Sequence, residues 1–362
     1  MNCYIHIPFC ASKCGYCAFY SEAGAGEEKT ERYLAHLIKE IEYFAESGTV
    51  CETLYVGGGT PTLLNCRQLE KLLALLREKV IFTDGAECSI EANPETLSKD
   101  KVDLLRGFFT RISVGVQSFN ADHRLKIGRK CSQKALENAL EMVRDANFPH
   151  WNVDLMYALP GQSAKEWENE LRRAAETGVD HISCYSLTAE EGSLLGWSFT
   201  EDDERGAEFY QLAEDVLADY GIKRYEISNY AANGAECRHN CNVWRGGLLR
   251  GFGPSAAGFD GVDRSIETSS LDKWLSGCAP EKDIVEKSVR LNEIFAVNLR
   301  TVAGWSKAEW ECVPHADKWE MRLKAAEKAA SVFPGCLCIS DEVIKLSGRG
   351  LLFWNEIAQE FF

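Results

Sequence analysis

The chain has 362 residues, 45% hydrophobic and 26% charged, proportions of an ordinary soluble globular protein that exclude a fibrous or wholly disordered one. The formal net charge of -15, from 40 basic against 55 acidic residues with no basic stripe, excludes nucleic acid as a main partner. No apolar stretch approaches the ~20 residues of a membrane span, and the opening MNCYIHIPFC lacks signal-peptide regions, so a cytoplasmic protein is expected, not an integral membrane one.

The chain opens with an apolar run, residues 3–9, that reads as a strand. Directly after it stand Cys10, Cys14 and Cys17 in one C-x3-C-x2-C loop. Such clusters ordinarily take four cysteines, so three thiolates can grip a 4Fe-4S cluster by three corners and leave one iron open. A structural zinc site competes with this reading. It wants four ligands, of which His6 offers one, although a strand residue there points inward.

Leu34, Leu37, Ile38, Ile41 and Phe44 then recur at helical spacing, as do Leu69, Leu72, Leu73 and Leu76 after the next strand. That strand, 53–59, opens into Gly57, Gly58 and Gly59, followed by Thr60. Backbone free of side chains can approach a charged head group closely, although a lone triplet is equally a turn. Strands at 88–94, 111–117, 152–160 and 181–187 follow, and Glu91, Gln117 and Asp154 lie inside the otherwise apolar first three, with Arg129 in a GRK turn. An unpaired polar group inside an apolar strand costs free energy, so these side chains should face a ligand or one another.

Six strands alternating with helices in roughly the first 220 residues imply an α/β fold, a partial (β/α)6 TIM-like barrel over 1–234. A closed eight-unit barrel needs about 250 residues, and chemistry in such sheets collects at the carboxyl ends of the strands. A smaller, mainly helical C-terminal domain is expected over 235–362. It holds a Gly-rich stretch at 246–261, helices from about 269 to 333, and a short β pair followed by a helix. Of the 15 cysteines, Cys3, Cys51, Cys66, Cys88, Cys131, Cys184, Cys278, Cys312, Cys336 and Cys338 are expected to be thiols packed in the core.

In this order the phrases YIHIPFC, C-x3-C-x2-C-x-F, YVGGGTPT, SIEANP, GVQSF, DLMYALPGQ, HISCYSL and GFGPSAAG resemble radical S-adenosylmethionine (SAM) proteins related to oxygen-independent coproporphyrinogen III dehydrogenase. More narrowly they resemble its HemW branch, and VRLNEIFAVNLRTVAGW and IKLSGRGLLFWNEIAQEFF extend the resemblance to the C-terminal region. The resemblance implies that Cys10, Cys14 and Cys17 bind the 4Fe-4S cluster. It implies S-adenosylmethionine contacts from Tyr4, Tyr16, Gly58, Gly59, Thr60, Glu91, Gln117, Arg129, Asp154 and Ala257. It also implies an electron donor. The reduced cluster passes an electron to the sulfonium, giving methionine and a 5'-deoxyadenosyl radical from which solvent must be excluded.

Two functions belong to this group of proteins. Its dehydrogenases carry a further cysteine two positions beyond the third, where this chain has Phe19, and a long N-terminal arm, which is not expected here because the cluster loop starts at Cys10. The haem-chaperone branch carries H-N-x-x-Y-W, matched by His239, Asn240, Val243 and Trp244, with Val243 replacing the tyrosine. A lone loop histidine is ordinarily solvated or capping. The match instead implies His239 as a haem-iron ligand and Trp244 against the macrocycle. Cys237 and Cys241 flank it in a run that offers iron or zinc ligands. The expected function is a chaperone that binds haem and passes it to haem-accepting proteins, with porphyrinogen dehydrogenation as the alternative.

Overall fold

The computed structural model describes residues 1–188 and 203–362. Six parallel strands lie side by side in chain order: β1 (Asn2–Ile7), β2 (Val50–Gly58), β3 (Ile81–Ala92), β4 (Arg111–Gln117), β5 (His150–Tyr157) and β6 (His181–Ser186). Helices join them: α1 (Glu27–Ala45), α2 (Cys66–Lys79), α3 (Lys99–Arg106), α4 (Ala121–Lys126), α5 (Gln133–Asp145) and α6 (Ala164–Glu176). This is the expected run of βα units. Leu34, Leu37 and Ile41 of α1 and Leu69, Leu72, Leu73 and Leu76 of α2 are buried, so the helical stripes read from sequence face the sheet. Reciprocal capping boxes, Asn65 with Gln68 and Ser163 with Glu166, start α2 and α6 where the chain leaves its loops.

Each strand sorts its side chains by alternation. Cys3, Ile5 and Ile7 of β1 are buried in the helix-facing core, while Asn2, Tyr4 and His6 take the other face. Register carries that second face across the sheet, pairing Tyr4 with Tyr55, Tyr55 with Ser89, Glu91 with Ser113, Ser113 with Asn152 and Asp154 with Ser183. The concave interior is therefore lined by polar groups.

Beyond β6 and α7 (Asp203–Ala218), two short antiparallel strands, β7 (Lys223–Arg224) and β8 (Asn229–Ala231), extend one edge. After α8 (Arg238–Trp244), β9 (Leu249–Phe252) adds to the opposite edge, parallel to β1, with Asn2 opposite Leu249. It leads into β10 (Ala257–Phe259), β11 (Arg264–Ile266) and β12 (Glu281–Asp283), completing a twelve-stranded sheet. A division at 234/235 thus cuts through the sheet, because β9 to β12 come from beyond it. Helix α8 packs against β1 and β2.

Past α9 (Leu271–Leu275), the chain ends in α10 (Lys287–Asn298), α11 (Lys307–Glu311), α12 (Trp319–Val332), α13 (Gly348–Leu352) and α14 (Trp354–Gln359). The β pair expected there gains a third strand, since β13 (Trp305–Ser306) joins β15 (Val343–Leu346), which also pairs with β14 (Leu337–Ile339). Phe295, Trp305 and Trp310 form the aromatic centre of this unit. Core packing of the cysteines holds for Cys3, Cys51, Cys88, Cys131, Cys184 and Cys336, but Cys66 is half-buried and Cys278, Cys312 and Cys338 are exposed. Cys312 caps the short α11, Cys278 lies in the turn past α9, and Cys338 takes the outward side of β14, so none of these three faces a core. Among the described residues no helix is long and apolar enough to cross a membrane.

Candidate functional site

The residues after β1 form a closed loop. Phe9–Cys10 pairs with Glu22–Ala23, Cys17 N–H donates to Cys14 O (3.3 Å), and Gly15 N–H donates to Ile127 O (3.0 Å). Cys10, Cys14 and Cys17 line one cavity of about 520 Å³, within the usual size of a cofactor pocket. Thr60 Oγ1 donates to Cys10 Sγ (3.6 Å) and Arg129 Nη1 to Cys14 Sγ (3.7 Å). Burial, aided by the negative charge of Cys10 and Cys14, pushes the Cys17 thiol up against a backbone N–H from Phe19. Among the described residues no three His, Cys, Asp or Glu side chains are gathered to hold a single metal ion. Three cysteines suit a cluster held at three corners and leave a tetrahedral zinc one ligand short. His6 is committed elsewhere, to Tyr4 OH (3.1 Å) and Tyr20 O (2.9 Å).

The glycine triplet is demanded by packing. A Cβ on Gly59 would stand 2.7 Å from Phe9 O, and Gly58, at φ +108°, would press one into the His6 ring at 2.7 Å. Only glycine lets β2 run this close under the cysteine loop. Gly58 N–H then donates to Glu91 Oε2 (3.1 Å), and Tyr55 OH donates to Glu91 Oε1 (3.0 Å). Burial, and next the charge of Asp154, push Glu91 up to about 7. Asp154, itself raised by burial, accepts from Asn152 Nδ2 (2.7 Å) and Ser113 Oγ (3.0 Å).

Gln117 sits at φ +66°, just past a register shift between Gly115 and Gln117, so a bulge re-aims it at the end of β4. Glu170 of α6 secures the turn that follows, accepting from Ser118 Oγ (2.6 Å), Phe119 N–H (2.6 Å) and Asn120 N–H (3.1 Å). Arg129 Nη2 donates to Gly115 O (2.6 Å), while its buried Nε has no partner and remains for a ligand. Tyr16 packs over Ile127, Met156, Leu159 and Leu187, forming an apolar wall.

One cavity thus gathers Cys10, Cys14, Cys17, Tyr16, Gly58, Gly59, Thr60, Glu91, Gln117, Arg129 and Asp154. Tyr4 and Ala257 stand apart from them. They line a second cavity of about 360 Å³ with His239, Val243 and Trp244, and Ala18, Phe19 and Asn240 border both cavities.

His239 is not the solvated loop residue that a lone histidine suggests. It lies in α8, is buried, donates its backbone N–H to Glu87 Oε1 (2.9 Å), and places Nδ1 2.8 Å from Thr53 Oγ1. Burial pushes it down to about 4, which leaves the imidazole neutral at pH 7. The Arg300 guanidinium covers one face of Trp244 at 4.7 Å, and the Tyr225 ring lies tilted 6.5 Å from it. Cys237 is turned to Glu87 Oε1 (3.6 Å) instead of pairing with Cys241.

Sequence reasoning missed Tyr55, Arg111, Asn152, His181 and Tyr185, all on the wall of the larger cavity. The signal was present as a polar residue at every second position of the strands, as in Glu87-Ser89-Glu91 and Asn152-Asp154.

Parallel strands presenting three cysteines over a cavity of cofactor size define a radical SAM protein, and residues 4–174 match the model of the radical SAM superfamily. The solved coproporphyrinogen III oxidase HemN of Escherichia coli, described as a radical SAM enzyme, shares the fold. It matches at a TM-score of 0.84 and 23% identity over 99% of this chain and 89% of its own. The heme chaperone HemW of Bacillus subtilis is 32% identical over 99% of this chain and 98% of its own, and that of Escherichia coli 36% over 100% and 98%. The chain belongs to this HemW family.

Proposed function

We propose that this protein is a haem chaperone that binds haem in the smaller cavity through His239, with Trp244 against the macrocycle, and passes it to acceptor proteins. In this reading Cys10, Cys14 and Cys17 hold a 4Fe-4S cluster, and the rest of the larger cavity holds S-adenosylmethionine. The observation that carries it is a neutral, buried histidine and a tryptophan on one cavity wall, adjoining the cysteine-lined cavity through Ala18, Phe19 and Asn240. Relatives aligned along the whole chain bear the heme chaperone name.

The roles follow from chemistry. Thr60 and Arg129 stabilise charge on the cluster thiolates, while Glu91 and Asp154 offer acceptors to a cationic cofactor. The wall around Tyr16 and Met156 keeps water out. Cluster and sulfonium together supply one-electron chemistry, for which an electron donor is a further partner. In place of a division at 234/235, the sheet-bearing body ends at Asp283 and a helical unit begins at Lys287, as the strand order supports.

Haem titration of the anaerobically reconstituted protein should give a saturable Soret shift. The same protein with reductant, S-adenosylmethionine and coproporphyrinogen should leave the porphyrinogen unchanged. Vinyl products without haem binding would replace this reading with the dehydrogenase one.

A further inference from the structure

A histidine binds a metal through its unprotonated ring nitrogen, so its tautomer decides which nitrogen is offered. For His239 the tautomer follows from a chain of hydrogen bonds that starts on a backbone carbonyl. Asn2 Nδ2 donates to Leu248 O at 3.0 Å. A flipped Asn2 amide would set its carbonyl oxygen against that carbonyl, so the orientation is determined and Oδ1 is the free acceptor. Thr53 Oγ1 lies 2.8 Å from Asn2 Oδ1, and Asn242 Nδ2 donates to the same oxygen at 3.0 Å. A hydroxyl has one proton. Thr53 gives it to Asn2 Oδ1, which can only accept, so at 2.8 Å from His239 Nδ1 the hydroxyl oxygen is left to act as the acceptor. His239 must then carry its proton on Nδ1, and the lone pair falls on Nε2.

Burial keeps water from scrambling this chain, since Asn2, Thr53 and His239 are 3%, 0% and 5% exposed. The backbone is held as firmly. Glu87, paired with Arg111 at 3.2 Å, accepts the N–H of His239 (2.9 Å) and of Arg238 (3.2 Å), while Arg111 Nη2 donates to Ala235 O (2.8 Å).

We infer that Thr53 and Asn2 are positioning residues that lock His239 in the Nδ1–H tautomer and present Nε2 to a metal centre in the smaller cavity. The identity of that metal as haem iron rests on the function proposed above. The tautomer does not, because it belongs to the haem-free protein.

The test is nitrogen-15 NMR of histidine-labelled, haem-free, full-length protein, with the His239 signals assigned by their loss in His239→Ala. The Nδ1–H pattern is expected, and an Nε2–H pattern would overturn the inference. Thr53→Val removes the acceptor and should populate both tautomers, and it should weaken haem binding by about 10- to 100-fold at unchanged iron and sulfide content. Thr53→Ser should restore both. Asn2→Leu, which frees the Thr53 proton to face Nδ1, should raise the Nε2–H form and supplies the answer if Thr53→Val does not fold. Wild-type haem affinity in His239→Ala would defeat the haem reading while leaving the tautomer result standing. Loss of haem in His239→Ala, with wild-type tautomer and affinity in Thr53→Val, would defeat the positioning role alone.

Discussion

Burial and charge oppose hydrogen bonding at Glu91, and burial prevails: the carboxyl is pushed from 4.5 to about 7 although Tyr55 and Gly58 both donate to it. Between those values the folded protein keeps a proton that the unfolded chain has released. Stability therefore falls as pH rises from 4.5 to about 7 and stays reduced above it, by on the order of 3 kcal/mol. Glu91→Gln removes the ionisation while keeping the shape. It should be more resistant to urea than wild type at pH 8 and no more resistant at pH 4, and an equal difference at both would refute the burial argument. Glu91 was legible in sequence because a carboxylate inside SIEANP has no apolar role. His239 was legible only as half of a motif, because nothing local in RHNCNVW says that β3, with Glu87 152 positions earlier in the chain, supplies the carboxylate that holds it.

Segments are held in place here by charge at their ends. The turn after β4 depends on α6, whose Glu170 takes three donors from residues 118–120 and so keeps the strained Gln117 aimed at the larger cavity. Glu170→Gln exchanges a carboxylate for an amide with one acceptor oxygen, leaving part of that set unsatisfied. Stability should drop by about 2 kcal/mol, and the Phe119 and Asn120 amides should exchange hydrogen faster than their neighbours. Uniform faster exchange would show a global effect instead of a loosened turn. Helix α8 has the same logic: seven residues without an apolar period carry no helical signal of their own, and Glu87 at its start makes the helix.

At the level of the molecule, the residues just after α10 meet the turn between β7 and β8 at an ion pair. Glu226 is fully buried and pairs with Arg300 at 2.9 Å, and the same guanidinium lies over Trp244 (4.7 Å) and Trp354 (5.4 Å). Arg300→Met keeps the bulk and removes the cation from Glu226 Oε2, while Oε1 keeps Ser228 N–H (2.7 Å) and Asn229 Nδ2 (2.6 Å), so unfolding free energy should fall by about 2 kcal/mol in equilibrium urea denaturation. No loss would mean that contacts such as the Val302 N–H to Tyr225 O bond, 2.9 Å, hold these segments together without the ion pair. The alternation of strands and helices, the cysteine loop and the polar residues at strand ends were fixed by the sequence itself, because each is written in neighbouring residues with a period or spacing that physics reads locally. Which side chains share a cavity, the return of residues 249–283 to the edge of β1 and the proton on His239 were decided only by the tertiary structure. They depend on contacts such as Asn2 with Leu248, where the partners are 246 positions apart and no local pattern links them.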